Sequence, residues 1–280
     1  MTTRLSYRSV FISDLHLGSG SARAAELATF LKHVECRTLY LVGDVIDMWR
    51  LRSRWHWPEA HNRVVHRILK MARRGTRVVF IPGNHDEHAR QFIGMNFGGV
   101  EIARDAVHRT ADGRRMLVTH GDEVDVVVRH ARMISVLGSV AYDRLVVISR
   151  WYNRVRRVLG QADWSLSQYV KHRVKSACKH IARFEESLEA EARRRGFDGV
   201  ICGHIHKAEV RRGEIDYFNC GDWVESCTAL VEHDDGRLQI LDGLAFIEQL
   251  DLEPGDLVEA PEAEMVGAID SLPPLRVSRR

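Results

Sequence analysis

The chain lacks most of the features that would take it out of the ordinary globular proteins. It has only five cysteines in 280 residues. The number is odd and no CxxC pair occurs, which excludes a disulfide framework and fits reduced thiols in a cytoplasmic protein. No apolar run approaches the roughly 18 residues needed to cross a bilayer. The opening Met-Thr-Thr-Arg-Leu-Ser-Tyr-Arg has no apolar core of the kind a signal peptide carries. The expectation is a cytoplasmic protein, soluble or peripheral to a membrane. The formal net charge is +3, so there is no global signature of a nucleic-acid binder and none is expected as a partner. No internal repeat is found, and nothing indicates an obligate protein partner. The hydrophobic content of 45% is ample for a packed core in one large domain or one domain with an insertion.

What is present is a regular alternation. Val10-Phe11-Ile12, Leu39-Tyr40-Leu41-Val42 and Val78-Val79-Phe80-Ile81 read as short buried strands. The first two are followed by helical spacing, over Ala24 to Val34 and Asn62 to Arg74, with Gly75 as the C-cap of the second. Further on, Asp105 to Thr110 and Arg115 to Thr119 flank the hairpin signal Asp112-Gly113. Gly199 to Cys202 is another strand, and Ile215 to Asn219, Thr228 to Glu232 and Leu238 to Leu241 read as strands of a second sheet. The pattern predicts an α/β fold of two packed mixed β-sheets flanked by helices. Between the halves, Asp125 to Arg195 carries helical periodicity and no strand, with Lys and Arg outnumbering Asp and Glu. It is expected to be a helical lid over the strand-end loops. The core is then 1–124 and 196–250, the insertion 125–195. The stretch 251–280 holds four of the six prolines and is expected to be a mobile tail.

Five short motifs punctuate the strands: Asp14-Leu15-His16, Gly43-Asp44, Gly83-Asn84-His85-Asp86, His120-Gly121-Asp122 and Gly203-His204-Ile205-His206. Each joins carboxylate, imidazole or amide donors to a turn. In extended chain, positions i and i+2 share a side, so Asp14 and His16 can serve one ion. A carboxylate such as Asp44, set at the end of a buried strand, needs a cation or donors to offset desolvation. Any one motif could be a capping Asp or a satisfied core His. All of them in order, at successive strand ends, supply enough oxygen and nitrogen ligands for two metal ions. A set without thiolate favours Mn²⁺, Mg²⁺, Fe or Zn²⁺ over soft ions, and Mn²⁺ is the expected ion. No Ser or Cys stands in these motifs as a nucleophile.

This set of motifs resembles the calcineurin-like metallophosphoesterases over roughly Val10 to Leu241. The resemblance implies a double β-sandwich with two divalent ions. It implies that Asp14, His16 and His206 bind one ion, that Asn84, His120 and His204 bind the other, and that Asp44 bridges them. His85 would then face the phosphate and stabilise the transition state or protonate the leaving oxygen. Asp86 resembles the residue that orients this His. Asp47, three residues after Asp44, is expected at most behind the ligands.

A narrower likeness lies in Ile12-Ser13-Asp14-Leu15-His16-Leu17-Gly18, Leu39-Tyr40-Leu41-Val42-Gly43-Asp44, Gly221-Asp222-Trp223 and the helical insertion. These are similar to the UDP-2,3-diacylglucosamine pyrophosphatase family. That implies cleavage of a nucleotide-linked glycolipid to UMP and 2,3-diacylglucosamine 1-phosphate in lipid A biosynthesis, at the cytoplasmic face of the bacterial inner membrane. An apolar stripe beside cations in the insertion suits a lipid with an anionic head. Lys171 and Lys175 are candidates for its phosphates, and Arg154, Arg156 and Arg157 form a second basic cluster. A solvated helix face is the plainer reading of these cations. Trp49, Trp55 and Trp57 either line the pocket, dip into a membrane surface or pack against the lid. One departure bears on the substrate: better-known members of that family carry Arg where this chain has His85. A phosphate leaves readily without an acid, whereas an alkoxide needs one, so phosphodiester or phosphomonoester hydrolysis stays open. A scaffold without turnover is the reading from another class, and the retention of all seven ligands argues against it.

Overall fold

The computed structural model describes residues 5–124 and 181–250. Among them are a seven-stranded sheet of order β12-β11-β1-β2-β3-β5-β4 and a five-stranded sheet of order β6-β7-β8-β10-β9. In the first sheet, β1 (Leu5–Ile12), β2 (Val34–Val42), β3 (Arg77–Ile81) and β5 (Val100–Ile102) run parallel. β4 (Asn96–Phe97) closes one edge, while β11 (Thr228–Glu232) and β12 (Leu238–Asp242) lie antiparallel at the other. The second sheet joins β6 (Ala106–Arg109), β7 (Arg115–Val118), β8 (Gly199–Cys202), β9 (Glu209–Arg211) and β10 (Asp216–Asn219). Its β7, β8 and β10 are parallel to one another.

The continuous apolar runs follow from burial on both faces. Val10 and Ile12 of β1, with Leu39 and Leu41 of β2, pack under α1 (Ala24–His33) and α3 (Glu59–Arg73), meeting Leu27, Phe30, Val64 and Ile68. The intervening Phe11, Tyr40 and Val42 point the other way, as period-two geometry requires. They fill the space between the sheets with Ile81, Val118, Ile201 and Phe218. Phe11 and Tyr40 stack with centroids 4.7 Å apart. A third cluster sets Leu117, Val200 and Tyr217 against α4, the helical residues 181–194, through Phe184, Leu188 and Ala192. The order is helix, sheet, sheet, helix. Each fully buried Leu, Ile or Phe contributes about 1.5–3 kcal/mol over leaving it exposed.

Most expected elements form where the periodicity put them. β8 and β11 match residue for residue, and α3 ends at a Schellman turn in which Gly75 takes φ +96°. Its amide donates to the Ala72 carbonyl and that of Thr76 to the Met71 carbonyl. One assignment is corrected. Of the three strands placed in the second sheet, only β10 belongs there. β11 pairs with β1 (Val10↔Val231) and carries β12 with it into the first sheet. Alternation within a strand sets its faces but not its neighbours, and the link was a long-range ladder. The short β4, β5 and β9, the helix α2 (Met48–Ser53), the 3₁₀ turn Glu87–Phe92 and α5 (Gly243–Glu248) were not foreseen.

The expected insertion lies mostly outside the described residues, and with it Lys171, Lys175, Arg154, Arg156 and Arg157. The part that is described, 181–195, packs through α4 as a layer of the core. The stretch from Asp251 onward is likewise outside the described residues. Among those described, no helix is long and apolar enough to cross a membrane.

Candidate metal centre

The parallel strands bring their C-terminal ends to one rim, and the five motifs are the loops at that rim. The loops bind each other through backbone. The Asp14 amide donates to the Gly43 carbonyl at 3.0 Å, and the His16 amide to the Asp44 carbonyl at 2.9 Å. The turns are tight enough to need glycine. A β-carbon at Gly43 would overlap the His120 ring, and one at Gly83 would overlap both Asp44 and His120.

The backbone at the donors is costly. Asp14, His16, Asp44, His204 and His206 all have φ between 47° and 73°. The left-handed region costs a non-glycine residue about 1–2 kcal/mol. Cys227 is the one other non-glycine residue with positive φ among the described residues. Strain gathered on one rim marks a site that requires those side chains.

Six of the seven expected donors converge in two groups. One ligand atom each from Asp14, His16 and His206 lie within 4.8 Å of one another, and so do those from Asp44, His120 and His204. His16 Nε2 is 4.0 Å and His120 Nε2 3.5 Å from Asp44 Oδ2, so this carboxylate stands between the two groups. Each aspartate commits one oxygen to backbone. Asp14 Oδ2 accepts from the His204 amide at 2.9 Å, and Asp44 Oδ1 from the His85 amide at 2.8 Å. The other oxygens, Asp14 Oδ1 and Asp44 Oδ2, face the imidazoles. His120 Nδ1 donates to the Val42 carbonyl at 2.9 Å, which turns Nε2 inward. His16 Nδ1 faces Asp47 Oδ2 at 3.3 Å, which sends its Nε2 to 3.3 Å from His206 Nε2.

Four buried atoms on this rim have no well-aligned hydrogen-bond partner: Asp14 Oδ1, Asn84 Oδ1, His85 Nδ1 and His120 Nε2. Orphaned buried polar atoms are rare, and all but that of His85 belong to residues expected to ligate. The electrostatics agree. Burial would raise the pKa of Asp44, but the imidazoles of His120, His85 and His16 outweigh it and hold the carboxyl below its usual range. Burial works against charge on His120, yet Asp44, Asp14 and Asp122 carry its pKa well above the usual imidazole value. Ionised carboxylates packed this deep call for cations, and the oxygen and nitrogen donors fit two hard or borderline divalent ions.

His85 stands at the edge of this group. Its ring lies 3.9 Å from Trp49 between centroids and edge-on to His16 at 4.6 Å. Its Nε2 is 4.0 Å from Asp44 Oδ2. The expected partner, Asp86, is corrected. Asp86 Oδ1 accepts from the Gly83 amide at 2.6 Å, and Oδ2 from Val45 and Ile46 at 2.7 and 3.2 Å. It pins its own turn to the loop after β2, and burial with the Asp44 charge pushes its pKa up to about 6. The carboxylate beside His85 Nδ1 is Asp47, at 3.1 Å. Asp47 also caps α2 through the Arg50 amide at 2.9 Å, so one side chain sets two imidazoles and a helix. Its i+3 spacing from Asp44, ahead of a helical turn, was the available signal. Sequence reading also missed Asn219, whose amide donates to the Gly203 carbonyl at 2.8 Å behind His204. It missed Phe184 as well, whose ring lies 5.6 Å from that of His204. Of the tryptophans, Trp49 lies on His85, Trp57 packs at the edge of the helix-side core, and Trp55 is 74% exposed.

The model of the calcineurin-like phosphoesterases matches residues 7–208. The chain belongs to that family. This phosphoesterase is a metal-dependent hydrolase of the α/β class with two mixed sheets. It is similar to the UDP-2,3-diacylglucosamine hydrolase of Ralstonia nicotianae, 29% identical over 212 residues, covering 71% of this chain and 77% of the relative. It is also similar to the enzyme of the same name from Neisseria meningitidis serogroup B, 24% identical over 249 residues, covering 85% of this chain and 96% of that one. Among solved structures, a Vps29 single mutant from Entamoeba histolytica aligns over 84% of this phosphoesterase and 98% of its own length, at 13% identity and a TM-score of 0.39.

Proposed function

We propose that this phosphoesterase hydrolyses the phosphoanhydride of UDP-2,3-diacylglucosamine, giving UMP and 2,3-diacylglucosamine 1-phosphate in lipid A biosynthesis. The observation that carries hydrolysis is the pair of facing donor groups that share Asp44. The substrate is that of the UDP-2,3-diacylglucosamine hydrolases, which the chain resembles along most of its length. In this reading Asp14, His16 and His206 hold one divalent ion, Asn84, His120 and His204 the other, and Asp44 lies between them. Mn²⁺ is the proposed ion. Bound, such a pair of ions acidifies water and neutralises phosphate oxygens.

The chain's own residues do the rest. Val42 and Asp47 hold the ring orientations of His120 and His16. His85, backed by Asp47 and Trp49, reaches toward a phosphate at the rim. The oxygen of water adds to phosphorus, the bridging oxygen leaves with the other phosphate, and the two protons of the water are released as both products ionise to phosphate monoesters. Lys171 and Lys175 of the lid take the substrate's phosphates. The enzyme works as a peripheral protein on the cytoplasmic face of the inner membrane.

The position of His85 favours a second reading. An imidazole in reach of the rim protonates an alkoxide, which a phosphodiester or phosphomonoester needs and an anhydride does not. A single assay separates the two. Purified protein with Mn²⁺ is given UDP-2,3-diacylglucosamine in detergent micelles beside a bis-ester chromogen. Release of UMP, abolished by chelator, is the expected result. Chromogen cleavage without UMP would keep the hydrolase and discard the lipid. Replacing Lys171 and Lys175 by Ala together is expected to weaken use of the lipid more than use of the chromogen. Equal losses would remove the lid from substrate binding.

A further inference from the structure

At the other end of the first sheet, the first residues of β2 and the turn into β3 meet the C-termini of α1 and α3. They enclose a cavity of about 420 Å³. The nine residues of β2 put it roughly 25 Å from Asp44. Its floor is apolar: Leu31, Val34 and Met71 are all buried. Its walls carry Lys32, Arg37, Arg67, Lys70 and Arg74 against one acid, Glu35.

Helix ends alone do not account for this. Lys32 and Lys70 stand in the last turns of α1 and α3, where the dipole favours a cation. Arg67 lies a turn earlier and Arg37 is on a strand. The negative end of α3 is also blunted, because the carbonyls of Lys70, Met71 and Ala72 already accept amides of Arg74, Gly75 and Thr76 at 3.1 Å. Arg37 pairs with Asp234 at 2.9 Å with both side chains 72% exposed, a surface contact worth little and readily exchanged. A concave site with an apolar floor and a cationic rim matches an anion that carries an uncharged body.

We propose that this cavity binds an organic phosphate monoester. The phosphoryl group is held by Arg67, Lys70 and Arg74, and the organic body lies on Leu31, Val34 and Met71. The site does not depend on the metal centre or on its substrate. The body is either a nucleoside or an alkyl chain, and both share this chemistry.

The test is calorimetric titration of the full, chelator-treated protein with UMP, hexyl phosphate and inorganic phosphate. At least one organic phosphate is expected to bind tenfold or more tighter than inorganic phosphate. A gain for UMP supports a nucleotide as occupant, and a gain for hexyl phosphate an alkyl phosphate. Binding is expected to stay within twofold in Asp44→Ala and to fall at least tenfold in Arg67→Gln plus Lys70→Gln. Arg74→Gln, at an exposed position after the helix, is expected to lose about threefold with an unchanged melting temperature, which covers a double variant that does not fold. No binding of either organic phosphate would overturn the proposal. So would loss in Asp44→Ala with retention in the cavity variants.

Discussion

The two ends of the parallel strands solve the same turning problem in opposite ways. Where α3 turns into β3, the left-handed position is Gly75, with nothing within 4 Å of where a β-carbon would stand. At the other end, Gly43 and Gly121 take left-handed φ as well, but so do Asp14, His16 and Asp44. Glycine would relax every one of them and supply no donor. The difference separates turns kept for geometry from turns kept for chemistry. It does so without reference to any ligand.

The sharpest way to break this comparison is to remove the shared donor. Asp44→Ala is expected to cut turnover of the chromogen roughly a thousandfold or more while the protein stays folded. The same variant should lose the rise in melting temperature that Mn²⁺ gives the parent protein. Near-normal turnover would end the two-ion assignment. Asp47→Asn comes next. Partners behind metal ligands are typically worth about 10–100-fold in affinity or rate, and Mn²⁺ titration followed by kcat measurement should show a loss of that order. A loss in Asp86→Asn of activity alone, with stability untouched, would restore Asp86 as the partner of His85.

A control lies away from both ends. Glu232 is buried between the sheets, bonded to His108 at 2.9 Å and to the Ala111 amide at 2.8 Å. Burial raises its pKa, but His108, Ala111 and Arg8 outweigh that and leave it below the usual glutamate value of 4.5. A depressed carboxylate stabilises the fold above its unfolded pKa and loses that contribution as pH falls through the folded one. Glu232→Gln is therefore expected to cost about 1–3 kcal/mol at pH 7. The difference should shrink as the pH drops below about 4.5, read by urea unfolding at each pH. A gap independent of pH would show that shape, not charge, sets its worth. The smallest effect tests the strain itself. At position 206 the Gly variant should exceed the Ala variant in stability by about 1 kcal/mol, since both lack the imidazole. Gly75→Ala should cost about the same. Equal stability of the two variants at 206 would mean that the rim is not strained.

Much of this was legible in the residues. Phe11 between Val10 and Ile12 sets two faces of one strand, and Asp112-Gly113 sets the hairpin of β6 and β7. The six Asp and His side chains that come together were legible because each sits within a few residues of a strand end. What was not legible depended on distance through the chain. The pairing of β11 with β1 and the Asn219 bond behind Gly203 join segments whose local patterns do not name each other. The exchange of Asp86 for Asp47 is subtler. Both lie close to a ligand in sequence. Only the path of the loop after β2 decides which carboxylate meets an imidazole and which meets amides.

The place of β1, between β2 and the late strand β11, also bears on how the protein is made. Asp14 leaves the ribosome long before its partners His204 and His206. At about 5–20 residues per second, synthesis separates them by on the order of 10–40 s. Through that interval a nascent chain carries an incomplete set of donors, and β1 waits for β11 to complete its ladder. The full set of donors exists only once residue 206 has been made.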